Sequence, residues 1–355
     1  MIAHIKELSI DRNKWLDEEA FKDGVAVCQF VPGATAMQAA AYVGLRSGGV
    51  SGALSSFIGF GTPAFILMLF LSSLYAKYYT VPGIVSVFNG LQVLVVAIVA
   101  NATYSFGRST FESYKDFILA AAASVLFRVG VSPFIVIMGA AVAGIIFLKS
   151  EGTVPASAKI KFNFRQLLML LLIPLLMLVV LYFVDSKLFT LAALMMRIDL
   201  FAFGGGFASL PLMLHEIVNV RGWMDNRTFM DGIALGQVTP GPIVITSTFV
   251  GYMSYGLLGA IVSTIAIFAP SFLMVVAITP VFDRLKVSAN FLGATKGILA
   301  SFVGLLFFVT VKFALAVPWD IVRIVLMCAA FVAMIRKVDI LYVVLITAVI
   351  SAVVF

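Results

Sequence analysis

Long apolar runs separated by short charged loops make up most of the chain. They lie near residues 49–77, 82–106, 112–128, 131–149, 165–185, 257–282, 288–313, 317–334 and 338–355. Each run is long enough to cross about 30 Å of hydrocarbon as a helix. The apolar positions are continuous rather than alternating, which favours helices over the strands of a barrel. The pattern therefore predicts an all-α polytopic membrane protein.

Two further regions, 16–48 and 188–256, are apolar but interrupted. The first contains "FVPGAT", and the second contains "FGGGF" and "LGQVTPGPIVI". Proline removes a backbone donor and clashes with the preceding turn, and glycine is also a poor helix former, so such runs break helices. These regions are therefore predicted to form broken or re-entrant half-helices.

The two interrupted regions are related to each other. The pattern W-x5-F-x-D-G-x4-Q-x2-P-G occurs at 15–33 and again at 223–241, an offset of 208. With an offset of 207, matching residues continue from Val43 and Val250 to Gly90 and Gly297. Self-similarity at a fixed offset indicates a duplication, so the chain is predicted to consist of two homologous halves.

This duplication predicts the domain organisation. Residues 1–149 form a first repeat, 150–187 a cytoplasmic linker with a single connecting span, and 188–355 a second repeat. Lysine and arginine concentrate on the cytoplasmic side of membrane proteins. If the polar linker 150–164 is cytoplasmic, the odd span places equivalent loops of the two halves on opposite sides. The predicted architecture is an inverted repeat.

Composition and charge agree with a membrane protein. The chain of 355 residues is 62% hydrophobic and 12% charged, whereas globular chains are about 45–50% apolar and about 25% charged. The net charge of +7 comes from Lys and Arg residues that fall mostly in short loops, where they set orientation. The expected partner is thus the lipid bilayer, and no nucleic acid is expected.

Inverted repeats with broken helices are typical of secondary transporters, which bind substrate at the repeat interface. A helix restarting after a break presents unpaired amides and the positive end of its dipole, which favour an anion. The candidate site residues of the second half are Gly204, Gly205, Gly206, Gln237, Thr239, Pro240, Gly241 and Lys296. Those of the first half are Gln29, Pro32, Gly33 and Asn89.

Each candidate also has a purely structural interpretation. A glycine triplet in a membrane helix commonly permits close helix packing. Lys296 is either a counter-charge for an anion or a side chain that snorkels to the interface. The polar amides either complete a site or bond neighbouring helices.

The acidic residues offer a second kind of chemistry. They could carry coupling protons together with the two histidines, or cap and salt-bridge helix ends. Arg197 and Asp199 could pair with each other or with other helices. The acidic residues and histidines considered are Asp23, Asp231, Glu7, Glu216, His4 and His215.

Enzyme classes find little support in the sequence. Two histidines and two cysteines that are not clustered predict no zinc or haem site. The glycine-rich stretches are not followed by the Lys-Ser/Thr of a P-loop, and a G-x-S-x-G elbow is absent. No cofactor and no catalytic residue are expected.

At the level of whole motifs, the chain resembles the chromate ion transporter family. The second half carries "FAFGGGFASLPLMLHEIV" and "RGWMDNRTFMDGIALGQVTPGPIVITSTFVGY", and the first carries "KWLDEEAFKDGVAVCQFVPGATAMQAAAYVG". The resemblance implies an inner-membrane carrier that exports chromate, with sulfate as its physiological look-alike. It also implies a fused form of two halves that occur elsewhere as short chains.

Two departures from the family pattern carry further expectations. The family's first half opens with a membrane segment ending in "FGGP" before "AHI", and this sequence begins at Met1-Ile2-Ala3-His4. Either the start site lies upstream, or the chain is a non-transporting subunit that needs a partner chain. In addition, Ala34 replaces the proline found at Pro242.

Small residues at Gly251 and Gly256 suggest a homodimer face.

Overall fold

The computed structural model describes residues 1–148, 164–282 and 288–355, and within these ranges the regular elements are all helices. The predicted all-α class is therefore confirmed. Most of the polar linker, on which the sidedness argument depends, lies outside the described residues.

The helices follow the predicted runs closely. The first half contains α1 (Ile2–Lys6), a π-helical segment (Glu7–Arg12), α2 (Glu18–Phe30), α3 (Thr35–Tyr78), α4 (Pro82–Thr110), α5 (Tyr114–Arg128) and α6 (Pro133–Phe147). The chain continues with α7 (Phe164–Val184), α8 (Ser186–Phe201), α9 (Ser209–Met213), a π-helical segment (Leu214–Val220), α10 (Asn226–Val238), α11 (Thr246–Ile278), α12 (Ala289–Ala316), α13 (Ile321–Ile335) and α14 (Ile340–Val354). Short 3-10 turns cover Gly206–Ala208, Ile243–Ile245 and Thr279–Val281.

Neither α3 nor α11 is a straight helix. The backbone leaves helical geometry at Gly48 and Gly49 in α3, and at Tyr255 and Gly256 in α11. A Cβ on Gly44 would collide with the carbonyl oxygen of Gly52, eight residues further on. Residues eight apart in a continuous helix would be about 12 Å apart along its axis, so the chain reverses here. Each element is a short arm followed by a long arm.

The short arms complete two re-entrant hairpins. A Cβ on Gly24 would collide with the Tyr42 ring, and one on Gly232 with the Phe249 ring, so α2 and α10 each pack antiparallel to the next short arm. We call these the PGA hairpin (residues 18–47, tip 31–34) and the PGP hairpin (residues 226–254, tip 239–242). The predicted re-entrant half-helices of both interrupted regions are present.

A third hairpin surrounds the glycine triplet. Arg197 on α8 contacts Glu216 on the π-helical segment, although 19 residues separate them. The chain therefore folds back between α8 and α9. We call residues 186–220 the GGG hairpin, with its tip at 202–206.

Corresponding helices of the two halves run in opposite directions. Thr103 on α4 and its equivalent Thr310 on α12 share a hydrogen bond of 3.1 Å between their hydroxyls. Further along, Glu112 just beyond the end of α4 meets Lys296 near the start of α12. These two contacts make the pair antiparallel and place a pseudo-two-fold axis between the two threonines. The bounds of α5 and α6 recur 207 residues later as those of α13 and α14. The exact boundaries of the predicted domains stay a prediction.

The outer surface is suited to lipid. Four helical stretches in the described ranges are long and apolar enough to cross a membrane: Thr35–Tyr78, Pro82–Thr110, Ile243–Ile278 and Ala289–Ala316. Apolar side chains on the periphery are widely exposed, for example Leu315 at 83% and Ile321 at 81%. Apolar faces of this kind require a non-aqueous surrounding.

Candidate functional site

The three hairpin tips meet one another inside the molecule. The Gly33 amide of the PGA tip donates to the Ala202 carbonyl of the GGG tip at 2.9 Å. A Cβ on Gly205 would lie 3.1 Å from Thr35 Oγ1, and one on Gly206 would lie 3.0 Å from side-chain atoms of both Ile243 and Val244. The glycine triplet thus lies between the starts of the short arms of the other two hairpins. The three breaks that the sequence marks as candidates are brought together.

The glycine triplet forms a true break in the helix. Gly204 and Gly205 adopt φ values of +89° and +99°, a region that favours glycine because it has no Cβ. The triplet therefore does not lie inside a continuous helix, since α8 ends at Phe201. Its glycines also lie in close contact with neighbouring side chains, so the packing role and the binding role both stay predictions.

Both short arms begin without a side-chain cap. The residues in the N-cap position are Ala34 before α3 and Pro242 before the 3-10 turn that leads into α11, and neither has a side-chain acceptor. The Thr239 hydroxyl turns back to the preceding helix, where it donates to the Gly236 carbonyl at 2.8 Å, and it forms no side-chain cap on the PGP arm. A helix start without a side-chain cap keeps its first amides available for an anion.

One cavity of about 500 Å³ opens beside these tips and draws on both halves of the chain. Three predicted site residues, Gln29, Gly204 and Lys296, lie on its wall. The remaining lining residues are Ile2, Phe30, Thr35, Phe106, Ser109, Thr110, Glu112, Leu292, Thr295 and Leu299. This cavity is the candidate functional site, and we call it the tip cavity.

Lys296 supplies a cation at the wall of this cavity. Its Nζ lies 2.5 Å from Oε2 of Glu112, and the two side chains are 37% and 67% exposed. Exposed pairs of this kind contribute little to stability, about 0–1 kcal/mol. The lysine therefore faces the cavity with its charge partly matched by an acidic partner that the sequence did not mark, since 184 residues separate the two.

The PGA tip is more fully bonded than predicted. The Gly33 amide is occupied by the Ala202 carbonyl, and the Pro32 carbonyl accepts from Nε2 of Gln38 at 2.6 Å. The Gly33 amide is therefore bonded within the protein, because the tip is docked against its neighbours. The parts of this hairpin that line the tip cavity are Gln29 and Phe30 at the end of α2 and Thr35 at the start of the short arm.

The remaining predicted residues lie elsewhere. Asn89 is about 30 Å along α4 from Ser109 of the cavity wall, at 1.5 Å per residue, so it does not join Lys296. Gln237 is half-buried, Thr239 is buried, and Pro240 is exposed. Gly241 packs against Ala64 of the first half.

The acidic candidates divide into structural groups. Asp231 is buried and accepts hydrogen bonds of 2.8 Å from Tyr75 Oη and from Gln92 Nε2. This arrangement differs from the helix-end capping considered for Asp231, and it shows Gln92 bonding a neighbouring helix. Glu216 forms ion pairs with Arg197 and Arg221. Arg197 therefore pairs with another helical segment and not with Asp199.

The suggested dimer face is also used inside the chain. Gly251 is buried, and a Cβ there would collide with the Gly259 carbonyl across the outer turn of the PGP hairpin. The small residues serve the tight reversal of α11. The small residues that suggested a homodimer face are thus explained by packing within the chain.

Apolar spanning helices, inverted halves and re-entrant tips around a polar cavity define a polytopic membrane protein with the architecture of a secondary transporter. Residues 1–145 and 189–352 match the family described as chromate transporter, and the chain belongs to this family.

Curated relatives agree with this assignment. An uncharacterized transporter of Methanocaldococcus jannaschii is 43% identical over 99% of this chain and 88% of its own length. A chromate transport protein of Pseudomonas aeruginosa is 28% identical over 86% of this chain and 74% of its own length. The chromate transport protein of Cupriavidus metallidurans is 27% identical over 83% and 73%. No solved structure matches the chain.

Proposed function

We propose that this protein is a secondary transporter that exports chromate, or a related tetrahedral oxyanion such as sulfate, across the inner membrane by alternating access. The tip cavity is the proposed binding site. Membership of the chromate transporter family and the names of the relatives support the substrate class.

The observation that carries the proposal is the position of Lys296 across from the short arm that begins at Thr35. Both line the same cavity, together with Gly204 from the glycine break and Gln29 from the end of α2. A lysine, a helix start without a side-chain cap and a side-chain amide supply donors on several sides of a small anion. Tetrahedral dianions match such a donor set.

Glu112 gives this site an internal competitor. Its Oε2 lies 2.5 Å from Lys296 Nζ. An arriving anion therefore has to displace Glu112 before it contacts the lysine. The exposed glutamate moves into water at little cost. Binding of the substrate therefore exchanges one anionic partner of Lys296 for another.

The driving force follows from charge. A dianion that leaves a cell with a negative interior moves with the potential, which contributes about 2.3 kcal/mol per charge per 100 mV. Export of this kind requires no ATP.

The test is uptake of radioactive chromate by inside-out vesicles, with sulfate as competitor. Lys296→Ala removes a charged donor, which is worth about 1.5–3 kcal/mol, so we expect a rise in apparent KM of roughly 10- to 100-fold. Glu112→Gln is the matched variant, and releasing Lys296 should lower KM by roughly two- to fivefold, in line with the small worth of an exposed pair.

The two variants, both in the tip cavity, should change the apparent KM in opposite directions. Saturable uptake that both variants leave unchanged would remove Lys296 and the tip cavity from the path. Absence of uptake by the parent chain would contradict the proposed transport itself. Sulfate that competes better than unlabelled chromate would make sulfate the preferred substrate.

A further inference from the structure

A buried carboxylate that the proposed anion site does not use lies next to the docked tips. Asp199 belongs to the last turn of α8, close to the glycine break, and its side chain is fully buried. The Ser271 amide donates to Oδ2 at 2.7 Å. The Ser271 hydroxyl lies 2.8 Å from Oδ1 and 2.6 Å from Oδ2.

These contacts are too few for a charged carboxylate in this location. The single hydroxyl hydrogen serves one oxygen at a time, so Ser271 supplies two donors in all. Ionised carboxylates offer about four acceptor sites, and an isolated charge in an apolar interior is strongly disfavoured. Among the described residues no cation pairs with Asp199, since nearby Arg197 is taken by Glu216.

A protonated Asp199 fits the same contacts. One oxygen accepts from the Ser271 amide, and the carboxyl hydrogen is donated to the Ser271 hydroxyl oxygen. Proline at position 270 lies inside α11 and lacks an amide, and the Asp199 side chain accepts from the amide of the next residue, Ser271. In the neutral form, both the carboxyl hydrogen of Asp199 and the Ser271 amide therefore have a hydrogen-bond partner.

The same carboxyl group touches the PGA tip. A Cβ on Gly33 would lie 3.0 Å from Asp199 Oδ1 and would collide with the Ser271 hydroxyl. The docked PGA tip therefore covers Asp199. Three residues after Asp199, the Ala202 carbonyl holds the Gly33 amide, and Gly204 lines the tip cavity.

We propose that Asp199 is the proton-binding site of the transporter, loaded when the PGA tip is docked and unloaded when the tip withdraws and admits water. Water that enters from one side of the membrane takes the carboxyl proton and leaves the carboxylate solvated, and water from the opposite side returns a proton before the tip docks again. Transport of the oxyanion is then coupled to one proton per cycle. The inference rests on the proposed transport function.

The groups around Asp199 leave few other candidates for this role. Two groups face it: the Ser271 side chain of α11 and the backbone of Gly33 at the PGA tip. The charged groups nearest along its own hairpin are Arg197, Glu216 and Arg221, which pair with one another. Two other aspartates are buried in the described ranges, and neither is bonded to a hairpin tip. Asp116 accepts from Ser113 and from the Glu112 amide, and Asp231 accepts from Tyr75 and Gln92.

The experiment uses the full chain in proteoliposomes, with radioactive chromate and a pH-sensitive dye. Two measurements are made: one-for-one chromate exchange without gradients, and net chromate movement driven by an imposed pH gradient. For the parent we expect a several-fold effect of the pH gradient. Asp199→Asn mimics the neutral acid, so exchange should persist while the response to the pH gradient and the dye signal are lost. Asp231→Asn is the control and should keep that response.

The outcomes separate the two proposals. If the parent shows no chromate exchange, the transport function fails and this inference with it. If the parent exchanges chromate but ignores the pH gradient, or if Asp199→Asn keeps the parental response, the proton site is wrong while transport stands.

If Asp199→Asn shows no chromate exchange, a chromate-binding measurement tests the assignment instead. Chromate added to the purified, weakly buffered parent should change the number of bound protons. Loss of that change in Asp199→Asn, with chromate still bound, supports the assignment, and its persistence overturns it.

Discussion

The PGA and PGP hairpins share one backbone design but differ in what holds their tips. Each tip glycine packs on the residue that follows a proline inside a long helix of the opposite half: Gly33 on Ser271, and Gly241 on Ala64. The two contact sites are equivalent positions, 207 residues apart. The PGA tip meets a hydroxyl and a buried carboxylate, whereas the PGP tip meets a methyl group. The duplication kept the geometry and changed its chemistry.

The surroundings of the two hairpins differ in the same way. Asp231 of the PGP hairpin is bonded by Tyr75 and Gln92. The positions equivalent to those donors around Asp23 are Phe282 and Leu299, which cannot donate. The PGP hairpin is therefore anchored by polar bonds at its side. The PGA hairpin, which borders the tip cavity, lacks these anchors at its side, which agrees with the proposed withdrawal of its tip.

The largest expected difference between the halves is at the tips. Gly33→Ala places a Cβ against the Ser271 hydroxyl at φ +113°, and the strained backbone alone costs about 1–3 kcal/mol. Ser271 would also lose its place on Asp199. We expect transport to fall at least tenfold and the Tm in detergent to drop. Gly241→Ala has no such φ and should cost only the overpacking, about 1–3 kcal/mol.

Compensating substitutions sharpen this contrast. Ala64→Gly removes the atom that a Cβ on residue 241 would strike, so it should restore transport to Gly241→Ala. Ser271→Gly should not restore Gly33→Ala, because the φ strain and the loss of the Asp199 partner both persist. Equal rescue of the two tips would show that the halves are mechanically equivalent.

The sequence predicts the framework of this molecule well because its signals are local and repeated. The apolar runs mark α4 to α7 and α12 to α14, and the Pro-Gly and glycine-triplet breaks mark all three tips. Their convergence also follows in outline, because inverted repeats bring equivalent breaks together. The duplicated pattern predicts the course of the backbone, and the all-α class with its broken helices is confirmed.

The contacts that distinguish the halves were not predictable in this way. Glu112 reaches Lys296 across 184 residues, and no local pattern marks that pairing. Asp199 was visible beside the glycine triplet, but its partner Ser271 is 72 residues away. Asn89 is equivalent to Lys296 in sequence, yet inversion moves it to the opposite end of the helix pair. Polar partners between helices depend on packing, which a single sequence does not show.

A smaller difference is expected at the sides of the hairpins. Tyr75→Phe removes one of the donors to the buried Asp231 carboxylate, and an unsatisfied buried acceptor costs about 1–3 kcal/mol. The Tm should fall, with little change in KM for chromate. Tyr79→Phe is the matched control, since Tyr79 is 52% exposed and stacks on Tyr75. A Tm that is unchanged in Tyr75→Phe would argue against the Asp231 anchor.

The smallest difference is expected at the outer turns, where the halves are alike. Gly49 and Gly256 have φ values of +65° and +63°, and a Cβ at either would meet nothing within 4 Å. Alanine at either position should therefore cost only the backbone strain, about 1–3 kcal/mol each, and the two Tm shifts should agree. Because these reversals lie away from the tips, transport should be nearly unchanged in both variants. A large loss of transport in Gly49→Ala alone would mean that the PGA hairpin hinges at its outer turn, and the difference between the halves would then extend from the tip chemistry to the backbone itself.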